Sequence, residues 1–199
     1  ATGKPVILVL VTGKPFSIAW EKKHIPAILI QWYAGEQEGS SIANILFGKT
    51  NPSGHLTVSF PQSSGHLPAY YNHLPTDRGF YHKPGSYEQP GRDYVFSSPG
   101  PLWAFGHGLT YTTFNYTDMQ IQQSVDSIKV FVTVKNTGRW AGKAVPQLYV
   151  RDVFSSISTP VKQLKAFNKV ALEPGETTRV PLHFAVQDLA LTDEAGKTM

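Results

Sequence analysis

Leu102-Trp103-Ala104-Phe105-Gly106-His107-Gly108-Leu109-Thr110-Tyr111-Thr112-Thr113-Phe114 is the stretch at which the grammar of this chain changes. Two glycines one residue apart, set among Trp103, Phe105, Tyr111 and Phe114, suit neither a strand nor a helix interior. Glycine frees the backbone to take positive φ or to approach another surface closely, so a tight turn in a packed setting is predicted here. Upstream of it the chain reads as α/β, and downstream as all-β.

Working upstream, residues 6–11 are an unbroken apolar run rich in β-branched side chains, the pattern of a strand buried on both faces. Gly13-Lys14-Pro15 ends it. Residues 16–23 suit a short helix, and residues 25–33 give a second apolar strand, so a right-handed βαβ unit with a parallel sheet is predicted. Residues 35–48 predict a helix with Glu36 and Glu38 in its first turn, where carboxylates suit the positive end of the dipole. Ile42, Ile45 and Leu46 form its apolar stripe, and Gly48 closes it at C′. Asn51-Pro52-Ser53-Gly54 matches a type I turn at each position. Residues 55–60 then alternate, with Leu56, Val58 and Phe60 on one face, which predicts a half-buried strand ended by Pro61.

From residue 62 to about residue 105 no periodicity survives. Nine aromatics and six prolines fall between Pro68 and Phe105, so this is a packed functional or inter-domain loop rather than a loose linker. Downstream, residues 114–121, 128–135, 145–152, 164–172 and 178–184 read as five strands. Asn136-Thr137-Gly138 and Glu173-Pro174-Gly175-Glu176 supply turns, and Ile128, Val130, Val132 and Val134 alternate as a sandwich face requires. An immunoglobulin-like or fibronectin type III-like sandwich normally has about seven strands, so two are expected beyond Met199. At the other end Gly3, followed by Pro5, reads as the left-handed C′ position of a helix that precedes Ala1. The expectation is a piece of a longer protein. The fold class is α/β plus all-β: a partial parallel α/β sandwich, a long aromatic loop, and an incomplete β-sandwich.

Composition removes several functions. Of 199 residues, 41% are hydrophobic and 16% charged, a globular balance. The net charge of +4 is diffuse, with no Lys or Arg run longer than Lys22-Lys23, so no nucleic-acid stripe is present. There is no cysteine, hence no disulfide and no thiolate metal site. No apolar stretch approaches the roughly 20 residues of a membrane span.

Candidate chemistry is sparse. None of the seven histidines forms a His-x-x-x-His pair, so they read as satisfied or solvated side chains, and neither a metal nor a cofactor is expected. No Gly-x-Ser-x-Gly elbow occurs, and Gly106-His107-Gly108 lacks the third glycine of a dinucleotide loop. Glu36 and Glu38 are the tempting pair of carboxylates, but two residues on a helix stand about 200° apart and cannot flank one scissile bond. They read as helix-start acids. Tyr70-Tyr71-Asn72-His73 and the later loop aromatics suit packing cement, with one or two left as sugar-stacking contacts. Asn115-Tyr116-Thr117 is a formal N-glycosylation acceptor.

Taken in order, these motifs resemble the C-terminal half of the β-glucosidases of glycoside hydrolase family 3. Phe105-Gly106-His107-Gly108-Leu109-Thr110-Tyr111 is similar to the family's domain-joining signature. Gly3-Lys4-Pro5 with the first strand, Trp32-Tyr33-Ala34-Gly35-Glu36-Gln37 through Phe47-Gly48, Asn51-Pro52-Ser53-Gly54-His55-Leu56, and Ser59-Phe60-Pro61 resemble successive family elements. Pro160-Val161-Lys162-Gln163-Leu164-Lys165 and Leu172-Glu173-Pro174-Gly175-Glu176-Thr177 resemble its sandwich domain. One departure is visible: Glu38 stands where the family usually has the first glycine of a Gly-Gly pair.

The resemblance implies retaining hydrolysis of a β-glycosidic bond by an aspartate nucleophile on a (β/α)8 barrel and a glutamate acid/base from the following α/β sandwich domain. It implies that both lie upstream of this chain, which then holds no catalytic residue. Residues 1–61 would be the C-terminal part of the α/β sandwich domain, 62–110 the connecting loop, and 111–199 a truncated fibronectin type III-like domain. Partners would be an oligosaccharide or glucoside substrate and the absent barrel domain, in a periplasmic or extracellular setting. A β-xylosidase, or a non-catalytic carbohydrate- or protein-binding module, are the competing readings.

Overall fold

The computed structural model describes residues 3–66, 69–75, 88, 100–155, 157–192 and 196. It divides into two units. One comprises Ala1–Thr50, His55–Tyr71 and Thr76–His107, the other Asn51–Gly54, Asn72–Pro75 and Gly108–Met199.

In the first unit β1 (Ile7–Leu10) leads through the short helix α1 (Ala19–His24) to β2 (Ala27–Ile30). The strands pair in parallel, from Ile7 opposite Ala27 to Leu10 opposite Ile30, as the β-branched runs predicted. Helix α1 carries Glu21 in its first turn and Lys22, Lys23 and His24 in its last, matching both ends of its dipole. Pro26 removes the next helical N–H and forces the chain into β2. The core gathers Ile18, Phe60 and Leu102, packed by Leu10, Ile28, Ile30, Trp32, Leu56 and Trp103. Val6, Ile7 and Val11 stay exposed, although parallel strands are ordinarily covered on both faces.

Helix α2 (Glu38–Leu46) begins later than its acidic start predicted. Gly35 takes φ +77°, outside helical space, and Glu38 N bonds Gly35 O at 3.1 Å, so Glu36 lies in a turn ahead of the helix. Gly48, with φ +73°, closes α2 as expected. Residues 55–60 do not form the predicted strand. Leu56 instead exchanges two backbone bonds with the aromatic-glycine turn, Leu56 N to His107 O at 2.8 Å and Gly106 N to Leu56 O at 2.7 Å. Phe60 forms a single antiparallel bridge with Trp103, and Val58 points out. Gly106 takes φ +81°, the freedom that the sequence required of it.

The second unit holds β3 (Phe114–Gln123), β4 (Ser127–Asn136), β5 (Gly142–Ala144), β6 (Gln147–Val150), β7 (Gln163–Phe167), β8 (Val170–Leu172) and β9 (Thr177–Ala185). Seven strands are therefore found among its described residues, where five were predicted with two more beyond Met199. The predicted strand 164–172 is split into β7 and β8, whereas β5 lies just ahead of the predicted strand 145–152, which holds only β6. Pro146 has no N–H to continue a ladder and stands between β5 and β6; the segment paired with it breaks opposite, at Asn168 and Lys169. Asn168 N bonds Pro146 O at 3.2 Å across the bend. β5 pairs with β8 and β6 with β7, while β4 lies central in an antiparallel sheet ordered β3-β4-β9.

Val134, Ala144, Leu172 and Val180 form the sandwich core, packed by Phe114, Val132 and Val170. Beside it Asn136 is fully buried and spends its whole carboxamide. Oδ1 accepts from Thr112 Oγ1 (2.7 Å) and Gly138 N (3.0 Å); Nδ2 donates to Trp140 O (2.8 Å) and Leu172 O (3.0 Å). A Cβ at Gly138 would lie 2.2 Å from Thr112 Oγ1 and 2.8 Å from Thr113 N. Pro174 and Gly175, the latter at φ +81°, make a type II turn closed by Glu176 N to Glu173 O at 3.0 Å.

Asn51–Gly54 belongs to this unit, and the type I turn predicted there is absent. The Asn51 carboxamide is used elsewhere. Its Nδ2 donates to Ala141 O at 2.8 Å, and its Oδ1 accepts from Thr110 Oγ1 at 2.6 Å and Tyr111 N at 2.8 Å.

Candidate functional site

Ligands of parallel α/β sheets gather at the carboxyl ends of the strands, and in the first unit that rim is built from the segments after β1 and β2. After β1, buried Thr12 folds the chain back: its hydroxyl donates to Lys14 O at 2.8 Å and accepts from Lys14 N at 3.2 Å. Gly13 then lies beneath the Tyr33 ring, and a Cβ there would meet Tyr33 Cε2 at 2.7 Å. Tyr33 is laid across this turn while 75% of its surface remains open to solvent.

After β2, Gln31 N extends the sheet by bonding Leu10 O at 2.9 Å. Gln31 Nε2 donates to Glu38 O at 3.3 Å, and its Oε1 is buried without a hydrogen-bond partner among the described residues. Trp32 takes φ +60°, a strained conformation for a bulky residue. The packing of its ring, 6.0 Å from Phe60, fixes it in place. Such outliers collect at functional sites. At this rim Tyr33 presents an exposed aromatic face, while the Gln31 amide oxygen is closed to solvent.

Glu36 and Glu38 accordingly sit apart in role, Glu36 in the turn and Glu38 at the head of α2. Of the loop aromatics, Tyr71 stacks on Phe105 with centroids 4.0 Å apart, as cement, while Tyr70 is exposed. His73 and Asn72 fall in the second unit, where His73 O accepts from Val161 N at 2.9 Å. The remaining loop aromatics between residues 76 and 99 lie outside the described residues. Asn115 is exposed on β3, opposite Lys135. Among the described residues no cluster of three His, Asp or Glu side chains is placed to hold a metal. Sequence reasoning passed over Tyr33 and Gln31; the signal for Tyr33 was Gly13, far earlier in the chain.

The aromatic-glycine turn carries its own electrostatics. Lys22 Nζ donates to Leu102 O and lies 5.1 Å from the Trp103 ring centroid. His107 remains at the surface, yet partial burial, then the Lys22 ammonium and His55, push its imidazole below the usual histidine value. The turn is held to Leu56 by two backbone hydrogen bonds, as a clasp within the first unit.

The chain is 42% identical to the periplasmic β-glucosidase of Salmonella typhimurium over 99% of its own length and 26% of that enzyme's. It is 39% identical to a β-xylosidase of Formosa agariphila, over 97% of this chain and 26% of that one. The crystal structure of a β-glucosidase from Listeria innocua superposes with a TM-score of 0.88 at 35% identity, covering 99% of this chain and 28% of that one. The chain thus spans about a quarter of the length of the curated relatives it matches. Residues 144–199 match the fibronectin type III-like domain. Residues 1–111 match the glycosyl hydrolase family 3 C-terminal domain, more than half of the chain, and on that match the chain belongs to glycosyl hydrolase family 3.

Proposed function

We propose that this chain is the C-terminal part of a retaining exo-β-glycosidase that removes terminal β-D-glucosyl residues from oligosaccharides or glucosides, and that it is inactive alone. The coverage carries the reading: nearly all of the chain aligns with β-glucosidases, yet it makes up only 26% and 28% of two of them. The aspartate nucleophile and glutamate acid/base belong to the preceding part of the whole enzyme, which includes a barrel domain. Residues 1–61 form the end of an α/β sandwich domain, 62–110 the connecting loop and 111–199 a fibronectin type III-like domain.

The name of the Salmonella relative favours a periplasmic home. Among the described residues no helix is long and apolar enough to cross a membrane. A β-xylosidase is the second reading, favoured by the Formosa relative at 39% identity. The test is release of nitrophenol from p-nitrophenyl β-glucoside, and from the xyloside in parallel, by the purified chain with folding verified by circular dichroism. Neither substrate is expected to turn over. Hydrolysis above buffer, abolished by Glu36→Gln or Glu38→Gln, overturns the reading.

A further inference from the structure

We propose that the core side of β3 is a docking face for a β-hairpin from the segment that follows Met199 in the whole protein, one strand of which pairs with the free edge of β6.

The cover of the sandwich core runs out toward β3. Opposite residues of an antiparallel ladder share a face, so Leu182 of β9, Val130 of β4 and Ile121 of β3 form one row across the core side of the sheet. Leu182 and Val130 are each 4% exposed, whereas Ile121 is 64% exposed. Val134 and Tyr116, also opposite one another, repeat the step from 0% to 46%. Apolar side chains on the core side of a sandwich belong beneath the other sheet. These two lie beyond its reach.

The strand positions account for the gap. β5 and β6 succeed one another along one stretch of chain, as β7 and β8 do along its partner, so the four fill only two positions. Three positions in one sheet therefore face two in the other, short of the roughly seven of a complete sandwich. β9 packs against β7 and β8, and Ala144 of β5 joins Val134 of β4 in the core. The next position, along the edge of β6 that faces away from β7, falls over β3. Among the described residues no strand occupies it.

Two observations select the occupant. The chain leaving β9 has already crossed to the deficient sheet: Lys165 Nζ of β7 donates to Asp188 O in the short 3-10 turn Val186–Leu189. A second copy pairing along β3 is disfavoured, because a bulge with Asp118 at φ +52° interrupts that edge, a device that deters strand addition. The hairpin is expected to turn apolar residues at alternate positions toward Tyr116 and Ile121.

The proposal rests on the reading that the chain is part of a longer enzyme, but its test needs no turnover and so stands apart from the nitrophenol assay. The chain has no cysteine, so single introduced thiols report cover through iodoacetamide labelling read by peptide mass spectrometry. Ile121→Cys, Gln122→Cys and Ala144→Cys are each placed in the whole enzyme and in the whole enzyme cut at Met199. Ile121→Cys is expected to label at least about tenfold more slowly in the whole enzyme than in the cut one, because reaction there requires local opening. Gln122→Cys, on the opposite face of β3, is expected to label equally in both, and buried Ala144→Cys to resist labelling in both. Equal rates for Ile121→Cys in the two proteins overturn the proposal, as does equal slowing of Gln122→Cys. Rapid labelling of Ala144→Cys in the cut enzyme overturns it as well, since no preformed face would then await the hairpin. Protection of Ile121→Cys in the cut enzyme that grows with protein concentration makes a second copy the occupant, and likewise overturns it.

Discussion

A single amide side chain is the most committed residue of the sandwich. Asn136 links Thr112, Gly138, Trp140 and Leu172 through four side-chain bonds in a site closed to water. Asn136→Ala leaves buried donors and acceptors unmatched and is expected to destabilise the second unit by about 2–3 kcal/mol, read from urea unfolding. Gly138→Ala is expected to be destabilising as well, because its methyl would meet the Thr113 backbone, which cannot swing away as a side-chain tip can. At Trp32 two effects oppose one another. The left-handed backbone costs about 1–3 kcal/mol, whereas removing a large core aromatic costs about 3–5 kcal/mol. Trp32→Gly is therefore expected to lower the melting temperature of the first unit, though by less than full loss of the ring implies, because Trp32 is only half-buried.

At the scale of the element, the aromatic-glycine turn has a pH dependence whose sign is fixed. The folded-state value of His107 lies below 6.5, so on acidification the unfolded chain takes up the proton first. The contribution of this group is full above the unfolded value, declines as pH falls through 6.5 to the lowered folded value, and is level below that. His107→Gln is expected to flatten the urea midpoint against pH over that window and leave it unchanged at alkaline pH. The elements themselves were unevenly legible. Period-two alternation at Ile128, Val130, Val132 and Val134 gave β4, and β-branched runs gave β1 and β2, because burial on one face or two leaves a direct mark on composition. Strand β5 ahead of Pro146 and the break at Asn168 were overlooked, although a proline beside an apolar run signals an interruption. Residues 55–60 misled for the opposite reason: they alternate like a strand, but their hydrogen bonds go to a turn. At the candidate site the acids were visible and the architecture was not, since what places Tyr33 is the bare backbone of Gly13.

On the whole-molecule scale the two units are unequal. β4 is bonded on both sides, by β3 and β9, whereas β1 pairs only with β2 among the described residues. Hydrogen exchange is expected to be slowest at Val130, Val132 and Val134 and fastest along β1. The exposed Val6, Ile7 and Val11 invite association through that sheet, so the purified chain is expected to aggregate or melt broadly. A single sharp, concentration-independent melt would contradict this. The parallel α/β elements precede residues 102–114 and the antiparallel strands follow them, so the fold class was readable from the sequence. The membership of Asn51–Gly54 in the second unit was not, because asparagine, proline, serine and glycine spell a turn locally whatever distant carbonyl the asparagine serves.

That strap has an evolutionary reading. The β-sandwich is not one uninterrupted passage of the gene, since the carboxamide that ties Thr110, Tyr111 and Ala141 is encoded well before them. A recombination event that exchanged only the region from Gly108 onward would separate Asn51 from the Thr110, Tyr111 and Ala141 it bonds. Viable chimaeras between relatives should accordingly have their crossovers before Asn51, so that strap and sandwich are inherited together.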